Sequence, residues 1–221
     1  MIYEKPKIYN APGIYNIGGG GGGGAAPQYN YTEYEEIAGR IYPIITLNGL
    51  KWICENLDYI DDNIRVNESI NSGTIPAAWY YNKNENIFGW DGFRLGCLYN
   101  DGAKQYIKNN ANNIFNGWRL PTKSEVQNLV NITGNAASLK SIFWNSSGDA
   151  YYSTNETLLN IKGSGYYTAS GDKTQNICQY CFLHVLDGDS LKYLRYSDNN
   201  IGSENVYTKA NGHTIRLVKS I

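Results

Sequence analysis

Cys178-Gln179-Tyr180-Cys181, with His184 close behind, has the spacing of a zinc half-site or a redox pair. It lies inside a run, Ile177 to Leu186, that reads as a β-strand, where residues three apart face opposite ways. On that reading Cys178 and Cys181 do not grip one ion, and the chain has no second C-x-x-C to complete a four-ligand site. A nucleophile–histidine–acid set would need His184 or His213, the only two histidines, and no G-x-S-x-G elbow accompanies them. Both read as surface or packed strand residues. The glycines from Gly18 to Gly24 lack the Lys-Ser/Thr ending of a phosphate loop, and no strand precedes them. Asp187-Gly188-Asp189 and Asp198-Asn199-Asn200 offer oxygen ligands without EF-hand spacing, which leaves a surface calcium open. The expectation is a protein with no catalytic residues, no metal centre and no cofactor.

A second chemistry lies near the C-terminus, where Tyr193, Tyr196, Asp198, Asn199, Asn200, Ser203, Asn205 and Tyr207 fall within a short stretch. Tyrosine offers a rigid face and a hydroxyl at low entropy cost, and asparagine offers both a donor and an acceptor. That pairing suits adaptable recognition loops and stacking on sugar rings. The competing reading is that an Asn-rich chain places Asn in its loops whatever it does.

Composition supports binding over acid–base chemistry. The 221 residues include 28 Asn, 24 Gly and 20 Tyr, together about a third of the chain, a usage typical of turn-rich structure. The net charge is −1 and no basic stretch is present, so no nucleic-acid partner is expected. No run approaches a membrane span, and Met1-Ile2-Tyr3-Glu4-Lys5-Pro6 is not an export signal, so neither membrane insertion nor secretion is expected. Four cysteines, Cys54, Cys97, Cys178 and Cys181, are too few for a disulfide framework and read mostly as reduced core residues. Length and apolar content suit one main domain plus something small.

The elements that must position these residues begin near Gly39. Ile41 to Thr46 and Leu50 to Cys54 flank Leu47-Asn48-Gly49, a hairpin signal because Asn-Gly tolerates positive φ at both turn positions. A long loop region is expected from Asp58 to Asn86. Ala103, Tyr106 and Ile107 predict a short helix within Asn100 to Lys108. Thr122-Lys123-Ser124-Glu125 is a capping box after Pro121; Val126, Leu129 and Val130 share one face and Gly134 is the stop. Ile177 to Leu186 and Ser190 to Tyr196 flank Asp187-Gly188 as a second hairpin, and His213 to Lys219 predicts a final strand.

Ahead of this lies a different kind of chain. Ile2-Tyr3, Ile8-Tyr9 and Ile14-Tyr15 recur every six residues with Pro6 and Pro12 between them. Proline at that spacing forbids a helix and favours an extended segment. Either this is a disordered tail, or the Ile-Tyr pairs dock into a partner. The glycine run that follows is a flexible tether, or packs only against glycines of other copies. The division expected is therefore an extended anchor with its tether over residues 1–38 and a globular head over 39–221.

Several segments of the head occur in an order known from one family: Gly49-Leu50-Lys51-Trp52-Ile53-Cys54-Glu55-Asn56-Leu57, Gly96-Cys97-Leu98-Tyr99-Asn100, Gly117-Trp118-Arg119-Leu120-Pro121-Thr122 with Glu125, and Gly212-His213-Thr214-Ile215-Arg216-Leu217-Val218-Lys219. They resemble the Fibrobacter succinogenes major paralogous domain, a branch of the C-type lectin-like fold. The resemblance implies an α+β domain of two short helices and a twisted antiparallel sheet, with terminal strands close together. It makes Trp52 and Trp118 core anchors, has Arg119 bonding backbone or a carboxylate, and leaves ligands to the stretch from Tyr193 to Tyr207. The calcium motifs E-P-N, Q-P-D and W-N-D of sugar-binding relatives are absent, with Trp144-Asn145-Ser146 a partial echo. The fold is also similar to formylglycine-generating enzymes, whose active-site cysteine pair has no match here.

The N-terminal organisation looks like that of phage fibre or decoration proteins. This implies a virion protein whose anchor residues Ile2, Tyr3, Ile8, Tyr9, Ile14 and Tyr15 attach to a capsid or tail protein. Its head would recognise a host-surface glycan or protein, and trimerisation would cover the Ile-Tyr pegs and add avidity. The alternatives are a bacterial surface adhesin and an oxidase of the formylglycine type, using Cys97 with Cys54 or with the 178/181 pair.

Overall fold

The computed structural model describes residues 31–80, 95–141, 144, 155–171 and 173–221. The expected pegs Ile2, Tyr3, Ile8, Tyr9, Ile14 and Tyr15, and the glycine run, lie outside the described residues, as does most of the W-N-S echo.

The first strand, β1 (Glu33–Ile37), turns through Ala38 and Gly39, both at positive φ, into β2 (Arg40–Leu47). Asn48 and Gly49, at φ of 54° and 70°, then turn β2 into β3 (Leu50–Ile53), the left-handed pair that matches the twist of a two-residue hairpin. The expected boundary at residue 38 therefore cuts a hairpin: β1 pairs with β2 from Glu33↔Ile44 to Ile37↔Arg40. Burial explains why β1 belongs with the head, because Ile37 is in the core and the Glu35 carboxylate accepts the Trp118 indole N–H at 2.9 Å.

The expected loop region after Asp58 contains β4 (Arg65–Val66) and β5 (Ala77–Tyr80). Ala77, Ala78 and Trp79 are buried, and β5 pairs with β6 (Cys97–Tyr99). Helix α1 (Asp101–Phe115) is longer than the expected 100–108. Ala111 and Phe115 continue the stripe of Ala103 and Ile107 at four-residue spacing, and burying them outweighs the poor helix propensity of the Asn residues on the outer face. Asn100 caps it, its side chain accepting from the Ala103 N–H at 2.9 Å.

Helix α2 (Lys123–Thr133) has the expected capping box and ends on Gly134 at φ 77°. Its Glu125 also takes both guanidinium arms of Arg119, at 2.8 and 2.6 Å, and Arg119 donates to the Leu120 carbonyl as well. Trp52 and Trp118 are buried in different core clusters. A short 3-10 turn (Ala137–Leu139) follows, then the hairpin β7 (Tyr166–Thr168) and β8 (Lys173–Gln175).

The expected strand from Ile177 to Leu186 shortens to β9 (Tyr180–His184), because Cys178 sits in a preceding turn at φ 64°. β9 pairs antiparallel with β10 (Leu191–Arg195) across a loop holding Asp187 and Gly188, longer than a two-residue turn. β11 (Gly202–Glu204) extends the sheet. The expected final strand is broken into β12 (His213–Thr214) and β13 (Val218–Ser220), which join different sheets. At the break the Arg216 guanidinium is buried and donates to Asn56 Oδ1 and the carbonyls of Ile53, Leu159 and Asn160.

The result is an α+β architecture in which the described residues form three sheets: β1-β2-β3-β13, the seven-stranded β11-β10-β9-β12-β6-β5-β4, and β7-β8. The large sheet is mixed, since β4 and β5 pair in parallel, as do β9 and β12. One core lies under α1 and contains Tyr42, Tyr99 and Trp118; a second, under α2, contains Trp52, Leu183 and Leu194.

Candidate functional site

Strand alternation in β9 sends Cys181 and Leu183 into the α2-side core and Tyr180, Phe182 and His184 to the opposite face. The register Phe182↔Tyr193 and Tyr180↔Arg195 brings Tyr193 and Arg195 of β10 to that same face. Tyr166 arrives from β7, His213 from β12, and Tyr207 from the segment after β11. Together these rings are continuous. Tyr180 and Phe182 lie parallel, within 8° and 5.4 Å; Phe182 meets Tyr193 at 5.6 Å, Tyr166 at 5.5 Å and His213 at 5.6 Å. Tyr207 closes the far end, edge-on to His184 at 6.0 Å and to His213 at 5.4 Å.

The tyrosines and Phe182 are half-buried, with one side of the array open, and the two imidazoles beneath are buried. Aromatic pairs in this offset or edge-on geometry stabilise one another beyond their buried area and form a stiff surface. Its charges are internally paired. Arg195 donates to Asp198 at 3.2 Å, and Asp101 accepts from the Tyr207 hydroxyl at 2.7 Å and from Lys104 at 3.2 Å. Although burial opposes it, the Tyr207 hydroxyl and the Lys104 ammonium hold the Asp101 carboxyl below the usual carboxylate range. Burial pushes His184 down to about 4, against the Tyr99 carbonyl at its Nε2, and pushes His213 well below the usual imidazole range, helped by His184. Both rings are neutral at pH 7.

Of the residues expected to meet a ligand, Tyr193 and Tyr207 are on this face, connected through Phe182 and His213. The others are elsewhere. Ser203 pairs with Lys192 and faces α2, where its hydroxyl and Gln127 accept from the Lys192 ammonium at 2.8 and 2.9 Å. Tyr196 packs on the α2-side core. Asp198 accepts from the Asn200 N–H at 2.9 Å in a side-chain turn, and the Asn199 carbonyl accepts from Ala136. Asn199, Asn200 and Asn205 are exposed. Local turn geometry, not proximity in sequence, decides which way these side chains point. The Lys140 ammonium holds that turn from below through the Arg195 carbonyl at 2.7 Å and the Asp198 carbonyl.

Sequence reasoning missed Tyr166, Tyr180 and Phe182. The alternation Tyr180-x-Phe182-x-His184 carries the signal, and it overlaps the cysteine spacing in the same run. Cys178 and Cys181 are both buried and unpaired by disulfide, as are Cys54 and Cys97. Burial pushes the Cys54 thiol up to about 12 and Cys178 to about 11, and raises Cys97 and Cys181 as well. Among the described residues no three His, Cys, Asp or Glu side chains gather as a metal site. The carboxylates considered for calcium have protein partners: Asp187 accepts from the Lys123 N–H at 2.6 Å, Asp189 from Lys209 at 2.8 Å, and Asp198 from Arg195.

Comparison of the chain with family models, curated proteins and solved structures returns no match.

Proposed function

We propose that this chain is a virion structural protein, a head or tail fibre or decoration protein, whose C-type lectin-like head binds a host-surface glycan or protein through the ring face of β9 and β10. The observation that carries the reading is the continuous half-open array of Tyr166, Tyr180, Phe182, Tyr193 and Tyr207, opposite the α2-side core. Flat rings with hydroxyl edges and paired charges suit an uncharged sugar ring, which stacks its C–H face on an aromatic and bonds at its rim. The two helices and the closing of β13 beside the N-terminal hairpin are in keeping with the lectin-like assignment. The Ile-Tyr repeat from Ile2 to Tyr15 and the glycine run supply the anchor and tether to a capsid or tail protein, and a homotrimer supplies avidity to a weak single face.

The role is binding without catalysis. An oxidase of the formylglycine type needs a reactive thiolate, and burial keeps these four thiols protonated at neutral pH. A surface adhesin would use the same ring face on a bacterial envelope. The test is electron microscopy with an antibody to residues 33–221, followed by host-cell binding of Phe182→Ala and Tyr193→Ala. Label on virions and at least tenfold weaker binding by both variants would bear the reading out. Label confined to the envelope would replace the virion by the adhesin, and unchanged binding would remove the ring face.

A further inference from the structure

Beneath the ring face lies a polar defect. Among the described residues neither ring nitrogen of His213 has a hydrogen-bond partner, nor has His184 Nδ1, and all three atoms are buried. The imidazoles meet edge-on at 5.5 Å, and among the described residues the one hydrogen bond from either ring is His184 Nε2 to the Tyr99 carbonyl, at 2.8 Å. That bond places the proton of neutral His184 on Nε2, so Nδ1 is a bare acceptor. A buried polar atom without a partner is costly, and it persists where the surrounding packing over-determines it.

What covers the pair is weakly attached. Tyr207 lies edge-on to both imidazoles, yet Asn205, Val206 and Tyr207 make no backbone hydrogen bond among the described residues, and Val206 is 84% exposed. Tyr207 is held by ring packing and by its hydroxyl on Asp101. The ionisable groups that face the pair are Asp101 and Lys104 from α1, Tyr166 from β7 and Tyr207 itself, with Asp189 and Lys209 beyond it; β6 offers only the Tyr99 carbonyl. Among the described residues neither imidazole is hydrogen-bonded to a carboxylate.

We propose that His184, His213 and Tyr207 form an acid-released latch: protonation of the imidazole pair transfers Asp101 from the Tyr207 hydroxyl to the imidazolium, and the 205–207 arm swings off the ring face. Asp101 is the carboxylate whose charge acts on His184, and its Oδ1 is occupied by the Tyr207 hydroxyl, so an imidazolium that takes that oxygen displaces Tyr207. Burial disfavours charge on either ring, which places the transition below the ordinary imidazole range. With open-state rings titrating near their ordinary value, lowering the pH from 7 to 5 favours opening by about 25-fold per imidazole and roughly 600-fold for the pair. The consequence, release of ligand in acid, rests on the ring face being the binding surface. The latch itself does not depend on that.

The experiment is a pH titration of the full chain by carbon-detected NMR of the histidine and tyrosine rings, with Trp52 in the α2-side core as the reporter of global folding. The expected result is a shared midpoint below pH 6 for His184, His213 and Tyr207, with a slope approaching two protons and an unmoved Trp52. Tyr207→Phe keeps the ring and loses the Asp101 bond. If that bond is worth about tenfold in the closed state, a two-proton step moves its midpoint up by about half a pH unit. His213→Phe should reduce the slope to one proton. Separate titrations near the ordinary value, a Tyr207 ring that does not move, an unchanged midpoint in Tyr207→Phe, or Trp52 melting at the same pH would each overturn the latch. Host binding by Phe182→Ala reads the ring face separately, so the two ideas fail independently.

Discussion

The ring of Tyr193 lies across the backbone of Gly202 on the neighbouring strand, so closely that a Cβ on Gly202 would sit 2.2 Å from Tyr193 Cζ. Ser203, one residue on, faces the other way. Gly202 is therefore what lets Tyr193 lie down into the array with Tyr180 and Phe182. Gly202→Ala should destabilise the head by about 1–3 kcal/mol through overpacking. It should also displace the Tyr193 ring. In a denaturation cycle the double variant with Tyr193→Ala should cost less than the sum of the two single changes; strict additivity would show that the ring does not depend on Gly202.

Arg216 is the other point on which the architecture turns. Its guanidinium, fully enclosed, serves Asn56 and three carbonyls from β3 and from residues 159 and 160. Arg216→Met leaves those acceptors buried and unpaired, and we expect a loss of about 3–5 kcal/mol in urea denaturation. Arg216→Lys should recover little of it, because one ammonium does not span acceptors arranged for a planar fork. Recovery of more than half would mean that charge alone, and not geometry, is what the site requires.

Acid should weaken the fold in a defined window. Burial depresses His184 to about 4 in the folded chain, so between the ordinary imidazole value and that one the unfolded chain binds more protons and stability falls as pH falls. From pH 7 to pH 5 the loss should reach about 2 kcal/mol per imidazole while the Tyr207 arm stays closed, and flatten once it opens and the folded chain binds the same protons; it is absent above pH 7. Urea midpoints at the two pH values measure it. His213→Phe should remove about half of the slope, and an equal slope in both proteins would assign the acid sensitivity to His184 alone, because the depressed carboxyl of Asp101 gives up its stabilisation only below the ordinary carboxylate range.

The thiols give a direct check on chemistry. All four described cysteines are buried and free, and burial raises each thiol, so native protein should react with an aromatic disulfide reagent at least a hundredfold more slowly than the unfolded chain. One rapidly reacting thiol in the native state would reopen the oxidase reading. Substitution of Cys97 should cost stability rather than abolish a turnover, since its thiol donates to Asp58 at 3.1 Å inside the core.

The parts of this protein that were legible in its sequence are those whose causes are local. Asn48-Gly49 takes positive φ because those residue types tolerate it, and the Thr122–Glu125 capping box closes over its own helix turn. The extension of α1 to Phe115 was partly legible as a four-residue spacing that an Asn-rich surface concealed. The break between Thr214 and Val218 was not, because two half-strands joining different sheets read as one apolar run until their partners are known. The ring face was out of reach for the same reason. Alternation placed Tyr180 and Phe182 together on one side of β9, but which side faces the α2 core was decided by Leu183, Cys181 and Leu194 packing against Val126 and Leu129. Tyr207 and His213 join that face only through long-range contacts with Asp101, Phe182 and Tyr166. Residue types and spacing thus determined the turns, the caps and an aromatic, Asn-rich character suited to binding. Tertiary packing decided which aromatics form one surface, because burial of the opposite face is a property of the whole fold and not of any one strand.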